Sequence, residues 1–90
     1  MEFKKGNHNI YLGNSEQDYS AIIEYKEVGD SVLDVYHTLV KPELEGQGIA
    51  GKLVEEIVKY ARENNYKLVG SCSYADHKFK TVKEYQDVVK

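Results

Sequence analysis

The sequence predicts an α+β domain in which one mixed sheet of about four strands carries one main helix and short C-terminal helices. Three observations predict it. Apolar residues alternate with period two through residues 19–40, the period changes to that of a helix over residues 50–61, and a short apolar stretch follows at residues 67–71. Strand, helix and strand in that order make a crossover unit, so its two strands share a sheet and run parallel.

Each element follows from local chemistry. His8–Leu12 reads as a short strand, and Gly13-Asn14-Ser15 as a turn. From Tyr19 to Val28, the residues Tyr19, Ala21, Ile23 and Tyr25 fall on one face of a strand. Gly29-Asp30-Ser31 reverses the chain into a second strand, Val32–Val40, and the pair forms an antiparallel hairpin. Strict alternation puts Leu33, Val35, His37 and Leu39 together, with Asp34, Tyr36 and Thr38 on the opposite face. Ala50, Leu53, Val54, Ile57, Val58 and Ala61 then make the apolar stripe of an amphipathic helix. Lys52, Glu55, Lys59 and Arg62 cover its outer face, and Asn64-Asn65 suits a left-handed stop. Lys67–Ser71 is a strand. The tail from Ser73 reads as broken helix, with Thr81-Val82-Lys83-Glu84 as a capping box that starts a last helix near Val82.

Composition bounds the function. Ninety residues fit one domain, 1–90, and leave no room for a complete dinucleotide-binding fold or a two-domain enzyme. Twelve basic residues against fifteen acidic ones, a net charge of −3, argue against a nucleic-acid partner. No apolar run is long enough for a membrane span, and no secretory signal precedes the first strand. One cysteine excludes an internal disulfide and fits a cytoplasmic, reducing setting. No His, Cys or Asp spacing fits a metal site.

The informative stretch runs from Val40 to Leu53, where a strand ends, a glycine-rich loop follows and a helix begins. Glycines let backbone N–H groups converge, and a helix start adds free donors and a positive partial charge. That combination is an anion cradle, most naturally for phosphate. Gly46-Gln47-Gly48-Ile49-Ala50-Gly51 has the literal form of the dinucleotide fingerprint, but no acidic residue stands at Leu68–Ser71, where the ribose partner belongs. Gly46–Lys52 also fits the nucleoside-triphosphate loop up to its lysine, after which Leu53 replaces the Ser or Thr that holds magnesium. Glycine-rich strand–helix turns also serve close packing alone.

The segment resembles the coenzyme A loop of the GNAT N-acetyltransferase superfamily, Q/R-x-x-G-x-G/A. Gly48 and Ala50 match its last two fixed positions, Val40 and Pro42 match a preceding V-x-P, and Glu45 stands where Gln or Arg is usual. Together with His37-Thr38, Leu53-Val54, Ala61-Arg62, Cys72-Ser73-Tyr74 and Glu84-Tyr85, the chain is similar to the minimal, single-domain (YjdJ-type) subfamily over roughly residues 19–89. The resemblance implies a truncated GNAT-like fold that binds acetyl-CoA as cosubstrate. It further implies that backbone N–H groups near Leu39 and Val40 hold the thioester or pantetheine arm, that the pyrophosphate lies over Gly46, Gln47, Gly48, Ile49, Ala50 and Gly51, and that Glu45 and Lys52 flank this cofactor-binding stretch. The function implied is acetyl transfer to an unidentified amine, and the alternative is a non-catalytic acyl-CoA-binding or interaction module.

Three residues are candidates for catalysis. His37 and Cys72 sit near the ends of their strands, where open sheets place ligands. A thiolate beside an imidazolium is a competent acyl acceptor, and direct attack by an amine with His37 as base is the other route. Tyr74 is placed to bind or to donate a proton. Each also has an ordinary reading: Cys72 as a small buried hydrophobe, His37 as a satisfied half-buried side chain, Tyr74 as a packing residue. His8 and His77 read as surface residues, and Lys78, Lys80 and Lys83 either meet the adenosine 3′-phosphate or lie on a solvated face.

Overall fold

The structure is a computed structural model that describes residues 2–90. Five strands, β1 (Lys4–Gly6), β2 (Asn9–Gly13), β3 (Tyr19–Glu27), β4 (Val32–Val40) and β5 (Lys67–Gly70), lie in one sheet in chain order. The first three junctions are antiparallel and β4–β5 is parallel. Helix α1 (Ile49–Asn64) makes the crossover, and α2 (Ser73–Thr81) follows β5. The α+β class and the mixed sheet are those the sequence predicts.

The sheet has one strand more than expected. The first segment is a hairpin rather than a single strand, because Lys4–Gly6 pairs back onto Asn9–Tyr11 through a turn in which His8 takes φ 63°. Its Lys-Lys-Gly sequence carries no apolar alternation, so nothing local announces it. Two charged residues on an edge strand also discourage pairing with a further chain.

Along α1 the buried face is Ile49, Leu53, Val54, Ile57, Val58 and Ala61. It lies against Ile10, Ala21, Ile23, Leu33, Val35 and Leu68 of the sheet. Each large aliphatic side chain removed from water there contributes about 1.5–3 kcal/mol. Asn65 ends the helix in the left-handed region at φ 61°, as its type favours, and Tyr66 N–H closes onto the Ala61 carbonyl at 2.9 Å.

The alternation along β4 breaks. Tyr25 pairs with Val35 and Glu24 with His37, so Tyr36 is an extra residue, a β-bulge. Cross-strand partners share a face. Leu33 and Val35 therefore face α1, and beyond the bulge Thr38 and Val40 do so, opposite Ile23 and Ala21. His37 and Leu39 go to the other face, opposite Glu24 and Ile22. The expected grouping of His37 and Leu39 with Leu33 and Val35 is thus corrected, because a one-residue insertion exchanges the faces of everything after it.

The tail also differs from expectation. Thr81 ends α2, its hydroxyl donating to the His77 carbonyl at 2.8 Å rather than capping the short turn that begins after Val82. A single 3₁₀ turn at Lys83–Tyr85 leads to an extended end. Leu68 N–H donates to Val88 C=O at 2.7 Å and Lys90 N–H to Leu68 C=O at 3.0 Å. Pairing with the free edge of β5 and burial of Val88 outweigh the local capping signal. Arg62 anchors this end with a fork onto Asp87, 2.7 Å for each arm, and holds that carboxyl below the usual aspartate range.

Where β5 ends, Asp34 fixes the exit. It is 7% exposed and accepts both the Ser71 N–H at 2.8 Å and the Ser71 hydroxyl at 2.6 Å. Hydrogen bonds to a charged group of this kind contribute about 1.5–3 kcal/mol. Asp34→Ala is expected to lower unfolding stability by about that amount. Ser71→Ala, which removes only the hydroxyl bond, should cost about 1 kcal/mol. Urea unfolding at constant m-value checks both, and an unchanged midpoint for Asp34→Ala would remove this carboxylate from the energetics of the fold.

Candidate functional site

The bulge makes a wedge in the sheet. Parallel pairing with β5 stops at Val35–Gly70. The Val35 carbonyl then accepts two N–H groups, from Ser71 and Cys72, both at 3.0 Å, as the chain turns into α2. Strand β4 runs on beside β3 alone. Lys41 N–H donates to Ser20 C=O at 2.9 Å, which fixes the phase of the peptide groups. Because peptide directions alternate along a strand, those of Leu39 point at β3, and those of Thr38 and Val40 point away from it, into the wedge.

The loop after β4 supplies the second wall. Pro42–Leu44 forms one 3₁₀ turn, and Glu45 is extended at φ −65° and ψ 150°. Gly46 and Gly48 take φ 83° and 73°, a region that strains most residues with a Cβ and asparagine least. Gly48 is the N-cap of α1, no side chain caps that helix, and its first turn holds no acidic residue. The N–H of Lys52 is the first to close an intrahelical bond, onto the Gly48 carbonyl at 3.1 Å. The donors of Ile49, Ala50 and Gly51 precede it and have no intrahelical acceptor.

Between these walls lies a cleft of about 420 Å³. Thr38 and Val40 line it from the sheet, Leu44 and Glu45 from the loop, and Tyr74 from α2, with Gly46, Gly48, Ile49, Ala50 and Gly51 along the helix start. A Cβ built on Gly46 or Gly48 would meet no protein atom within 4 Å. The cradle is therefore open, and glycine keeps it open. The Tyr74 hydroxyl reaches across to 3.6 Å from where a Gly51 Cβ would stand, and Lys78 Nζ lies 5.7 Å from the Tyr74 ring centroid.

The sequence candidates are thereby sorted. Val40, the glycines and Tyr74 share the cleft, whereas Gln47 and Lys52 are exposed beside it. The Leu39 side chain lies on the opposite face of the sheet. Cys72 is half-buried at the start of α2, its Sγ 3.6 Å from Thr38 Oγ1, so it borders the wedge. His37 does not join it: Thr38 and His37 are neighbours on a strand and face opposite ways, and His37 looks toward Glu24. The expected cysteine–histidine pair is corrected by the same bulge. Lys80 is taken by Asp76 at 3.0 Å. Thr38 and Leu44 are lining residues that the sequence reading missed. Thr38 becomes visible only when the bulge is known, and an apolar Leu44 between two glutamates is the one signal the loop carried.

Comparison with known proteins bears on the family and the fold. The family model described as GCN5-related N-acetyl-transferase matches residues 9–88. The NMR solution structure of a GCN5-like candidate N-acetyltransferase from Staphylococcus aureus is 40% identical, with a TM-score of 0.83 over 99% of this chain and 87% of that one. An uncharacterized N-acetyltransferase of Archaeoglobus fulgidus is 34% identical over 68 residues, 71% of this chain. The chain spans 44% of that archaeal protein's length. A GNAT-family structure from Desulfovibrio desulfuricans, 18% identical with a TM-score of 0.58 over 69% of this chain and 41% of that one, shares the fold. With a family model matched from the second strand to the last buried valine, on a sheet split beside a glycine-flanked helix start, the chain belongs to the GCN5-related N-acetyltransferase family.

Proposed function

We propose that the chain binds acetyl-CoA in the wedge between β4 and β5 and transfers its acetyl group to an amine. The observation that carries this reading is the start of α1, uncapped, flanked by glycines in the left-handed region and open to the cleft. Free N–H donors with a positive partial charge suit a pyrophosphate. The inward peptide groups of Thr38 and Val40 suit an extended pantetheine arm, which would take the place beside β4 that β5 vacates. A backbone N–H there would polarise the thioester carbonyl.

In the transfer, a neutral amine attacks the thioester carbon, the new C–N bond forms as the C–S bond breaks, the nitrogen releases one proton to solvent, and the departing thiolate takes one up. Tyr74 is the hydroxyl in the cleft suited to supply it. A two-step route through Cys72 remains open to test, with the acetyl group carried on sulfur between the two steps. His37, on the other face, has no direct role on Cys72. The second reading is a non-catalytic acyl-CoA binder, and one observation favours it: among the lining residues only Glu45 and Tyr74 carry titratable side chains.

Three experiments test the proposal. Titration with acetyl-CoA should move the amides of Thr38, Val40 and Gly46–Lys52 most. Gly48→Asn keeps the left-handed backbone at little cost and puts a side chain into the cradle. It should weaken binding roughly tenfold or more, the value of a charge-assisted hydrogen bond. Shifts confined to the tail, or normal binding by a folded Gly48→Asn, would sink the assignment.

Glu45 places a carboxylate on the rim where the family pattern has Gln or Arg. Glu45→Gln should tighten acetyl-CoA binding by about 0.5–1 kcal/mol at low salt, with the gain shrinking as salt rises. Calorimetry at two ionic strengths reads this directly, and weaker binding would mean that the carboxylate serves the loop instead.

Incubation with acetyl-CoA and no amine separates the routes. A covalent path adds one acetyl group, seen by intact mass and lost in Cys72→Ser, and His37→Ala leaves its rate unchanged because His37 faces away. Normal amine acetylation by Cys72→Ser would remove the covalent path, and no thioester consumption with any amine would favour the binder.

A further inference from the structure

A second cavity, of about 150 Å³, lies at the other end of α1. Lys5 and His8 line it from the first hairpin, Tyr25 and Glu27 from β3, and Tyr60 and Tyr66 from the helix end. Tyr25 is 2% exposed, and among the described residues its hydroxyl makes no well-formed hydrogen bond; burial first, and then the neighbouring Tyr60 hydroxyl, raise it above the usual phenol range. A buried polar group left unpaired is costly, so something is expected to meet it.

The rings form a connected stack. Tyr25 and Tyr60 have centroids 5.9 Å apart, Tyr60 and Tyr66 stack at 5.8 Å, and His8 meets Tyr25 edge-on at 5.9 Å. The ring faces, the C-terminal end of α1 and Glu27 each favour a positive charge there, where Lys5 now stands; the field of Glu27 is the leading cause that raises Tyr66 above the usual phenol range. An anion is therefore disfavoured. Among the described residues, no group of three His, Cys, Asp or Glu side chains could hold a metal ion. The cation now nearest is the chain's own: Lys5 Nζ lies 4.8 Å from the Tyr60 centroid and makes no ion pair among the described residues.

We infer that this cavity is a binding site for an alkylammonium ion, which lies against the Tyr60 and Tyr66 rings, donates an N–H to the Tyr25 hydroxyl oxygen and displaces the Lys5 ammonium. The site is separate from the acetyl-CoA cleft, so it stands or falls apart from the proposed transfer. The ligand has the size of an amine head group rather than of a nucleotide.

The test is an NMR titration with n-butylammonium chloride against sodium chloride at equal ionic strength. Saturable shifts are expected at Lys5–His8, Tyr60 and Tyr66, with none at Gly46–Lys52. Tyr25→Phe keeps the ring and removes the acceptor, and should weaken binding about tenfold. Lys5→Ala removes the competing cation and should tighten binding roughly two- to fivefold. Linear shifts matched by sodium chloride, which mean that water alone fills the cavity, overturn the proposal. Binding unchanged in either variant, or shifts centred on the α1 start, overturns it as well.

Discussion

One extra residue in β4 organises the molecule. Tyr36 faces no partner across β3, and its insertion changes the phase of the strand halfway along. Before it, the peptide groups of Val35 serve β5, whereas after it those of Thr38 and Val40 have no strand beside them. Beyond the bulge β4 runs beside β3 alone, because β5 ends at Gly70, and the two strands leave a wedge between them. The same insertion brings Thr38 and Val40 under the helix layer and puts His37 and Leu39 on the far face. The geometry of the cleft and the separation of His37 from Cys72 are two consequences of that single shift.

A wedge needs its far wall held apart, and the chain does this with short-range chemistry. Gly70 has no Cβ, and one placed there would stand 2.8 Å from the Asp76 nitrogen. Glycine thus lets α2 pack directly over the end of β5. Asp34 takes both donors of Ser71, and Val35 takes the N–H groups of Ser71 and Cys72, so the turn into α2 is tied to the bulged strand itself. The tail secures the other edge of β5. In so small a chain, where little apolar surface is available, these polar ties carry weight that a larger core would share.

What could be read from the sequence followed from whether each signal was periodic. The hairpin over residues 19–40, the helix stripe and its Asn65 stop, and the glycine loop between strand and helix were legible, because period and turn chemistry are local. The bulge was not, since nothing in Val35-Tyr36-His37 distinguishes an inserted residue from an alternating one. Reading through it sent His37 to the core side and hid Thr38. The three-residue β1 was too short to show a pattern. At Thr81–Glu84 a capping motif was present in type, but the valines that follow found a strand edge to pair with. The long-range partner decided the outcome in each of these places.

The two ends of α1 explain why a chain with a net negative charge can suit an anion at one end. Charge on side chains is nearly useless at the cleft: Glu45 is unfavourable there, and Lys52 points to solvent. What remains is backbone, namely helix-start N–H groups that no residue caps and strand peptides that no neighbour uses. Such donors are fixed by the fold and require no reorganisation when a ligand arrives. At the opposite end the same helix presents carbonyls, and the sequence adds three tyrosines and Glu27 beside Lys5 and His8. The polarity of one helix, read with the residues placed at each terminus, is the common ground of the proposed phosphate site at its start and the proposed organic-cation site at its end. Net charge, averaged over the whole chain, contains neither assignment.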